Sequence, residues 1–231
     1  MAGSNAREET LARIRRALKS ETKPEAASVA NRRSSVEVLR ACEQKRPALI
    51  AQFESELTKV GGRVHKAASA QAALEYIEEI ASARRATTII GWTDRLLDGI
   101  DLHARLKEEG IEFVTESTDE AFIQTAAAAG IGVSGVDYAL ADTGTLVLLS
   151  REGRARSVSL LPSVHIALIR PEQVIEGLDD MFSLMRDGTD RDKVPSSAVT
   201  FITGPSRTAD IELTLVVGVH GPQELHAILL G

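Results

Sequence analysis

The sequence predicts an α/β protein, with an open, largely parallel β-sheet flanked by helices and a helical extension at its N-terminus. Three observations support this fold class. Short runs of β-branched and aliphatic residues, such as residues 86–91, alternate with amphipathic segments between residues 48 and 129. Strands separated by helices pair in parallel through crossover connections. The composition, with 43% hydrophobic and 26% charged residues, is that of an ordinary globular protein.

The N-terminal segment is predicted to form a helix and a linker. Leu11, Ile14 and Leu18 recur three and four residues apart within residues 5–20, which is typical of an amphipathic helix with a narrow apolar stripe. Residues 21–35 are rich in alanine and serine, include Pro24 and indicate a linker or loop. Such a helix serves as an oligomerisation arm, docks a partner or folds back on the domain, and the last interpretation is favoured.

We therefore predict two parts, an extension over residues 1–47 and one α/β domain over residues 48–231. Within the domain, helices are expected where apolar residues recur three and four apart, and strands where short apolar runs are bounded by turn residues. The predicted helices are residues 48–60, 70–83, 96–109, 119–129 and 171–185. The predicted strands are residues 63–67, 86–91, 111–115, 131–136, 144–149, 157–161, 164–169, 198–203 and 213–219.

Composition excludes several classes of protein. A formal net charge of −6 argues against general binding to nucleic acid or anionic membranes, because both attract a net basic face. The one cysteine, Cys42, can neither form an intramolecular disulfide nor hold an iron–sulfur cluster, which needs several thiolates. No signal peptide, membrane span, P-loop or HExxH motif is evident. We expect a cytoplasmic protein without a metal site, cofactor, nucleic-acid partner or membrane partner.

The first polar cluster is the glycine-rich stretch at residues 130–135, followed closely by Asp137. Its glycines permit close approach of the backbone to a ligand, but their spacing does not match the GxGxxG pattern of dinucleotide-binding proteins. Flavin or nicotinamide binding is therefore not supported by this stretch. Gly132 and Asp137 are kept as candidates for substrate binding.

A second cluster, Asp142, Thr143, Gly144 and Thr145, directly precedes an apolar strand. A carboxylate, two hydroxyls and a glycine at the end of a strand suit ligand binding, because α/β sheets bind ligands at strand ends. Asp142 is a candidate catalytic residue, and the other three are candidates for substrate binding. The alternative is a simple turn in which Asp142 accepts from backbone amides and the glycine supplies a positive φ.

Two residues are expected in the core rather than in a site. His165 alternates within an apolar strand and is interpreted as a core histidine bonded to a backbone carbonyl. Trp92 follows a strand and is also placed in the core.

The most informative cluster is the stretch GPSRTAD at residues 204–210, which lies between two apolar runs. Gly204 breaks the strand, and Ser206, Arg207 and Thr208 then offer hydrogen-bond donors in succession. Such a turn can form a nest of backbone N–H groups, while an arginine beside it clamps a carboxylate or phosphate. All four residues are candidates for substrate binding.

Two further residues of this region are candidate catalytic groups. Asp210 is expected to orient Arg207 or to contact a ligand hydroxyl, with a self-contained Arg207–Asp210 ion pair as the alternative. His220 follows the last predicted strand. We expect the guanidinium and the backbone amides to converge with Asp142 and His220 at the carboxyl edge of the sheet.

These stretches together resemble the LUD-domain family, in particular its lactate-utilisation members. The resemblance rests on GVSGVDYALADTGTLVL, LPSVHIALI and FITGPSRTADIELTLVVGVHGPQELHAILL, and it covers roughly residues 48–231. It implies a fold similar to that of the sugar-phosphate isomerase and CoA-transferase superfamily, with a ligand site at strand ends.

The resemblance also implies a function. The chain is expected to be the cluster-free component of a system that oxidises L-lactate to pyruvate together with iron–sulfur partner proteins. Its site would bind a small anionic metabolite such as lactate or pyruvate. Two alternatives remain open, a stand-alone enzyme acting on a sugar phosphate or a CoA thioester, and a non-catalytic scaffold subunit.

Overall fold

A computed structural model describes residues 10–13, 33–115, 120–187, 196, 198–209 and 215–231. The chain divides into two compact units, Met1–Arg33 and Ser34–Gly231. In the first unit, residues 10–13 are helical, as predicted for those positions. Five predictions lie wholly or partly outside the described residues: the rest of the extension helix, most of the linker, the start of the helix at residues 119–129, Asp210, and the start of the strand at residues 213–219.

The second unit opens with a long helix, α1, which spans Ser35–Lys59. A capping box stabilises its first turn. The Ser34 hydroxyl accepts a hydrogen bond from the backbone N–H of Glu37, and the Glu37 carboxylate accepts one from the backbone N–H of Ser34 at 2.7 Å. A polar cap of this kind satisfies backbone donors that a helix end leaves without intrahelical partners.

Helix α1 begins well before residue 48, where the sequence predicted its start. Pro47 lies inside the helix and removes one backbone donor. The neighbouring Arg46 offsets this weak point, because its Nη1 donates to the carbonyls of Pro171 and Val174 at 3.0 and 2.7 Å. The middle of α1 is therefore tied directly to the rest of the unit.

The remaining elements alternate as the sequence predicted up to residue 135. The other helices are α2 (Ala70–Arg84), α3 (Arg95–Gly99), α4 (Leu102–Glu108), α5 (Glu120–Ala128), α6 (Ser157–Leu160) and α7 (Leu178–Arg186). The strands are β1 (Arg63–Ala67), β2 (Thr88–Gly91), β3 (Glu112–Thr115), β4 (Ile131–Gly135), β5 (Tyr138–Leu140), β6 (Thr145–Leu149), β7 (Val164–Ile169), β8 (Val174–Ile175), β9 (Val199–Ile202), β10 (Arg207–Ala209), β11 (Leu215–Val217) and β12 (Glu224–Leu230).

Six strands form a sheet in the order β1-β12-β7-β4-β2-β3, and every neighbouring pair is parallel. The central strands β4 and β7 are buried at every residue. Parallel strands covered on both faces carry continuous apolar sequences, which explains why the VHIALI run of β7 was predicted with its observed bounds. The predicted α/β fold class is confirmed.

A second sheet of four strands, in the order β8-β5-β6-β9, packs into the same unit. Its pairs β5–β6 and β6–β9 are antiparallel, and β5–β8 is parallel. Strands β10 and β11 form a separate antiparallel pair. No helix in the described part of the chain is both long enough and apolar enough to cross a bilayer.

The structure corrects several predictions of secondary structure. The helix predicted at residues 96–109 is divided into α3 and α4, and strands β5 and β10 were not predicted. Residues 157–161, predicted as a strand, form the short helix α6. The helix predicted at residues 171–185 is instead a short 3₁₀ turn at Pro171–Gln173, strand β8 and helix α7. Strand β12 was not predicted, although it lies inside the parallel sheet between β1 and β7.

Candidate functional site

The turn at residues 142–145 links β5 to β6 and packs against α1. Gly144 has a φ of +63°, which favours glycine, as the turn interpretation expected. A Cβ at this position would lie 2.2 Å from the backbone nitrogen of Leu57 in α1. Gly144 therefore serves close packing of the turn on the helix, and its part in ligand binding stays a prediction.

The hydroxyl groups of this turn form a directed chain of hydrogen bonds. Thr143 Oγ1 donates to Asp142 Oδ1 at 3.1 Å, and Thr145 Oγ1 donates to Thr143 Oγ1 at 2.9 Å. Thr203 Oγ1 lies 2.8 Å from Thr145 Oγ1. Because each hydroxyl has one proton and that of Thr145 goes to Thr143, Thr203 is the donor in this last bond. The chain therefore runs from Thr203 to the Asp142 carboxylate.

The Thr145–Thr203 bond joins two clusters that the sequence analysis found separately. Gly204 follows Thr203, and a Cβ on Gly204 would lie 2.8 Å from the carbonyl oxygen of Val60. Arg207 Nη2 donates to that same Val60 oxygen at 2.5 Å. We call Asp142, Thr143, Thr145, Thr203, Gly204 and Arg207 the loop cluster. Asp142, Thr143, Thr203 and Arg207 are exposed.

The location of the loop cluster differs from the prediction. Val60 and the adjacent Gly61 precede β1, and Gly204 and Arg207 contact this segment. The GPSR segment therefore lies at the amino edge of the parallel sheet, not at its carboxyl edge. The expectation failed because Thr203 and its neighbours follow β9, which belongs to the second sheet, so the rule for the carboxyl ends of the parallel strands does not apply to them.

The expected nest of backbone amides is also corrected. The Ser206 N–H donates to the carbonyl of Pro222 at 2.9 Å, and the Ser206 carbonyl accepts from the N–H of Gly218 at 2.9 Å. These two hydrogen bonds connect the loop before β10 to the loop before β12. The Ser206 N–H is therefore not available to an anion. Thr208 lies in β10 opposite Val216.

His220 lies in the loop before β12 and is exposed to solvent. Its neighbour Gly221 contacts Ser206, because a Cβ on that glycine would lie 3.2 Å from the serine Cβ. The two loops therefore bring His220 to the amino edge together with Ser206. Catalytic roles for Asp142 and His220 stay predictions.

Gly132, also predicted to bind substrate, lies in the middle of β4 and is buried. A Cβ there would lie 2.0 Å from the carbonyl oxygen of Val158 in α6. The absence of a side chain therefore lets α6 approach the sheet closely. This packing accounts for the glycine without a ligand.

Asp137 belongs to a group of ion pairs that the sequence analysis did not find. Arg154 Nη1 donates to Asp137 Oδ1 at 2.8 Å, and Arg154 Nη2 donates to Asp94 Oδ2 at 2.6 Å. Arg151 lies 3.6 Å from Asp137, and the Arg154 guanidinium lies 5.3 Å from the centre of the Trp92 ring. We call Asp94, Asp137, Arg151 and Arg154 the switch-point cluster.

The name follows from the topology of the parallel sheet. After β2 the chain continues to β3 on one side, and after β4 the next strand of this sheet is β7 on the other side. Asp94 and Asp137 follow the carboxyl ends of β2 and β4, between which such a reversal leaves a crevice. The polar residues after Trp92, in the stretch GWTD, were the available sequence signal.

The two aspartates of the switch-point cluster have all their carboxylate oxygens paired within the protein. The second oxygen of each aspartate is also paired, Asp94 Oδ1 with the N–H of Leu96 at 2.8 Å and Asp137 Oδ2 with the N–H of Leu149 at 2.7 Å. All four carboxylate oxygens are thus occupied within the protein. The cluster therefore connects the ends of β2 and β4 to the turn at residues 151–154 by ion pairs, and we call the Asp94–Arg154–Asp137 part of it the clasp.

His165 lies in the core, as predicted, but its hydrogen-bond partner differs from the predicted backbone carbonyl. Its Nε2 lies 2.8 Å from Ser134 Oγ on the neighbouring strand β4. His165 is fully buried, and burial lowers its pKa to about 3. The imidazole of the folded protein is therefore neutral at pH 7.

This buried histidine predicts a loss of stability in acid. The unfolded chain takes up a proton at His165 below about pH 6.5, whereas the folded chain does so only near pH 3. The stability that depends on this group is present above pH 6.5 and is lost as the pH falls. We expect the free energy of unfolding to be about 2 kcal/mol lower at pH 5 than at pH 7 from His165 alone.

Chemical denaturation at pH 7 and pH 5 checks this result, with His165→Gln as the matched variant. Glutamine can still hydrogen-bond to Ser134 but does not titrate. The variant should lose about 2 kcal/mol less than the wild type between the two pH values. Equal losses in both proteins would contradict the assignment.

The described residues hold no group of three or more His, Cys, Asp or Glu side chains that could bind a metal ion. The described polar groups thus form two clusters. The loop cluster, with one arginine, lies at the amino edge of the parallel sheet, and the switch-point cluster lies at its carboxyl edge. The protein is therefore an open α/β protein whose candidate polar sites lie on the loops that connect its strands.

Comparison with known proteins gives the family. The family model of the LUD domain matches residues 50–230. The chain belongs to the LUD-domain family, and the resemblance stated from the sequence is confirmed. The crystal structure of a DUF162 family protein from Deinococcus radiodurans has a TM-score of 0.57 and 19% identity, covering 80% of this chain and 98% of that one. This likeness shows the shared fold.

Two curated relatives are similar in sequence. Lactate utilization protein C of Halalkalibacterium halodurans is 38% identical over 147 residues, covering 63% of this chain and 64% of that protein. Lactate utilization protein C of Shouchella clausii is 35% identical over 146 residues, covering 63% of each protein. The chain thus matches a little less than two thirds of the length of these two relatives.

Proposed function

We propose that the protein is a component of an L-lactate utilisation system in the cytoplasm, where it acts with iron–sulfur partner proteins in the oxidation of L-lactate to pyruvate. The names of its relatives support the pathway. We further propose that a small carboxylate binds at the loop cluster. The observation that supports this second part is that Gly204 and Arg207 both contact the Val60 carbonyl, while Thr203, next to Gly204 in the chain, bonds to Thr145.

The chemistry of the loop cluster matches a 2-hydroxy acid. Arg207 is exposed and supplies several N–H donors for a carboxylate in addition to the one that Val60 accepts. The Thr203 proton is directed towards Thr145, so the Thr203 oxygen offers lone pairs to a hydroxyl of the ligand. An arginine for the carboxylate and an acceptor for the hydroxyl are the two contacts that L-lactate needs.

Isothermal titration calorimetry with L-lactate and with pyruvate tests the binding site. Replacing Arg207 by glutamine is expected to weaken L-lactate binding about tenfold or more, because hydrogen bonds to charged groups contribute about 1.5–3 kcal/mol. Replacing Thr203 by valine should weaken L-lactate more than pyruvate, since pyruvate has no hydroxyl to donate.

The matched control is Arg40→Gln, which removes the same charge from an exposed position near the other end of α1. It should leave both affinities unchanged. Equal affinities in the wild type and Arg207→Gln, with unchanged melting temperatures, would rule out the arginine contact. The wider proposal is tested by co-purification with iron–sulfur proteins and by the dependence of L-lactate oxidation on this chain in the assembled system.

A further inference from the structure

Arginines gather at the amino edge of the parallel sheet, beside the loop cluster. Glu224, the first residue of β12, contacts Arg63 of β1 at 3.1 Å and also contacts Arg84 of α2. Arg207 reaches the same corner, because a Cβ on Gly61, two residues before Arg63, would lie 2.5 Å from Arg207 Nη2. Three guanidinium groups and one carboxylate therefore share this corner of the sheet.

The side chains of these arginines are open to solvent. Arg63, Arg84 and Arg207 are exposed, and so is Arg85, which directly follows α2. A guanidinium group has five N–H donors, so the one carboxylate of Glu224 leaves several donors free for a second anionic group. We call Arg63, Arg84, Arg85 and Arg207 the arginine corner.

Exposed aliphatic side chains border the arginine corner on one side. Val217 of β11 lies directly opposite Arg207 in the antiparallel β10–β11 pair, so the two side chains share one face of this ribbon. Val217 and the following Val219 are both exposed. Apolar and cationic groups thus lie next to each other on the same exposed face.

Two leucines extend the apolar part of this region. Leu160 and Leu161, at the end of α6, are also exposed. A Cβ on Gly221 would lie 4.0 Å from the carbonyl oxygen of Leu160 and 3.2 Å from the Cβ of Ser206, which precedes Arg207. The leucines therefore lie beside the loop that carries Arg207. We call the arginine corner together with Leu160, Leu161, Val217 and Val219 the amino-edge surface.

We propose that the amino-edge surface docks an iron–sulfur partner protein through a face of the partner that presents carboxylates around an apolar centre. The identity of the partner rests on the proposed function. Arginine is enriched in protein interfaces, where it surrounds an apolar centre and pairs with carboxylates. A nucleic acid would match the arginines but would leave the leucines and valines uncovered, so the combination favours a protein.

Arg207 belongs both to the amino-edge surface and to the loop cluster. A partner docked on this surface therefore covers the loop cluster. The proposed small-carboxylate site then lies at the contact between the two proteins rather than on a free face of this chain.

The affinity of the full chain for the purified iron–sulfur partner proteins, measured by biolayer interferometry at low and at high salt, tests the surface. Leu161→Asp puts a charge into its apolar part and should weaken binding about tenfold or more. Arg85→Glu should weaken binding about fivefold at low salt and less at high salt, because salt screens exposed charges.

The matched controls make the same changes elsewhere. Phe182→Asp in α7 and Arg40→Glu in α1 alter an exposed apolar residue and an exposed arginine. The Ser35 N–H donates to Asp187 just beyond α7, so both positions lie near the start of α1. About 1.5 Å per residue separates that start from the loop cluster at the other end of α1. Both controls should bind the partner like the wild type, and melting temperatures check that all four variants are folded.

The outcomes separate this inference from the proposed function. Wild-type affinity in both Leu161→Asp and Arg85→Glu would overturn the amino-edge surface and leave the proposed function standing. A wild-type chain that binds none of the iron–sulfur proteins would overturn both. If Leu161→Asp changed only the oligomeric state of the chain in sedimentation, the surface would join copies of this chain, and the partner assignment would be wrong.

Discussion

Replacing Arg154 by alanine is expected to destabilise the protein by about 3 kcal/mol. The change leaves Asp94 and Asp137, whose side chains are only 10% and 9% exposed, as two neighbouring carboxylates without their shared counterion. Removing one partner of a buried pair costs about 3–5 kcal/mol, and the residual exposure of this cluster places the effect at the lower end. The free energy of unfolding by urea, measured at pH 7, gives the result.

Two controls separate the clasp from ordinary charge loss. Arg63→Ala removes an arginine whose side chain is 61% exposed and paired with Glu224, and it should cost less than about 1 kcal/mol. The triple variant Asp94→Asn, Asp137→Asn and Arg154→Gln removes all three charges and should recover part of the lost stability. If Arg154→Ala cost no more than Arg63→Ala, the clasp would have no structural role.

The second large effect is expected from Gly132→Ala, at about 3 kcal/mol or more. The added methyl group would lie 2.0 Å from the carbonyl oxygen of Val158, a backbone atom that cannot rotate away. Relief requires α6 to move off the sheet, which would expose the buried face around His165 and Ser134. Thermal unfolding followed by circular dichroism measures the loss.

A matched control lies two residues away in the same glycine-rich stretch. A Cβ at Gly130 would have no atom within 4 Å, so Gly130→Ala should change stability by no more than about 0.5 kcal/mol. Similar effects of the two substitutions would show that α6 does not press on β4. A ligand-binding role for Gly132 instead predicts a loss of L-lactate affinity in Gly132→Ala with unchanged stability.

Long apolar runs were the part of the fold that sequence patterns predicted well. The run at residues 164–169 and the run at residues 63–67 form strands with the predicted bounds, because continuous or alternating apolar residues suit buried parallel strands. Residues 157–161 were predicted as a strand and form a helix. A short apolar run has the same pattern in both structures, and packing against Gly132 decides between them.

Strand β12 was missed because its sequence, ELHAILL, begins with residues that are rare in buried strands. Glu224 and His226 are tolerated there because each pairs with groups from other elements, Arg63 of β1 and Tyr76 of α2. Sequence patterns do not show such partners, since they lie about 150 residues away along the chain.

Sequence patterns predicted part of the candidate site as well. The types of residue in the Asp142–Thr145 and GPSR stretches led to both parts of the loop cluster, and the Thr145–Thr203 bond now joins them. Their position could not be predicted, because it depends on which sheet β9 enters. The Asp94–Arg154–Asp137 clasp could not be predicted either, since its members come from three separate segments that meet only through the topology.

The place of β12 inside the parallel sheet has a consequence for biosynthesis. Strand β1 is synthesised before the other described strands, yet its hydrogen-bonded neighbour among the described residues is β12, which follows all other described strands along the chain. Until β12 is synthesised, β1 and β7 lack the strand that pairs with both of them. Before β12 is synthesised, only the β7-β4-β2-β3 part of this sheet can pair, and the edge of β7 that β12 later covers is an unpaired strand edge, which favours aggregation.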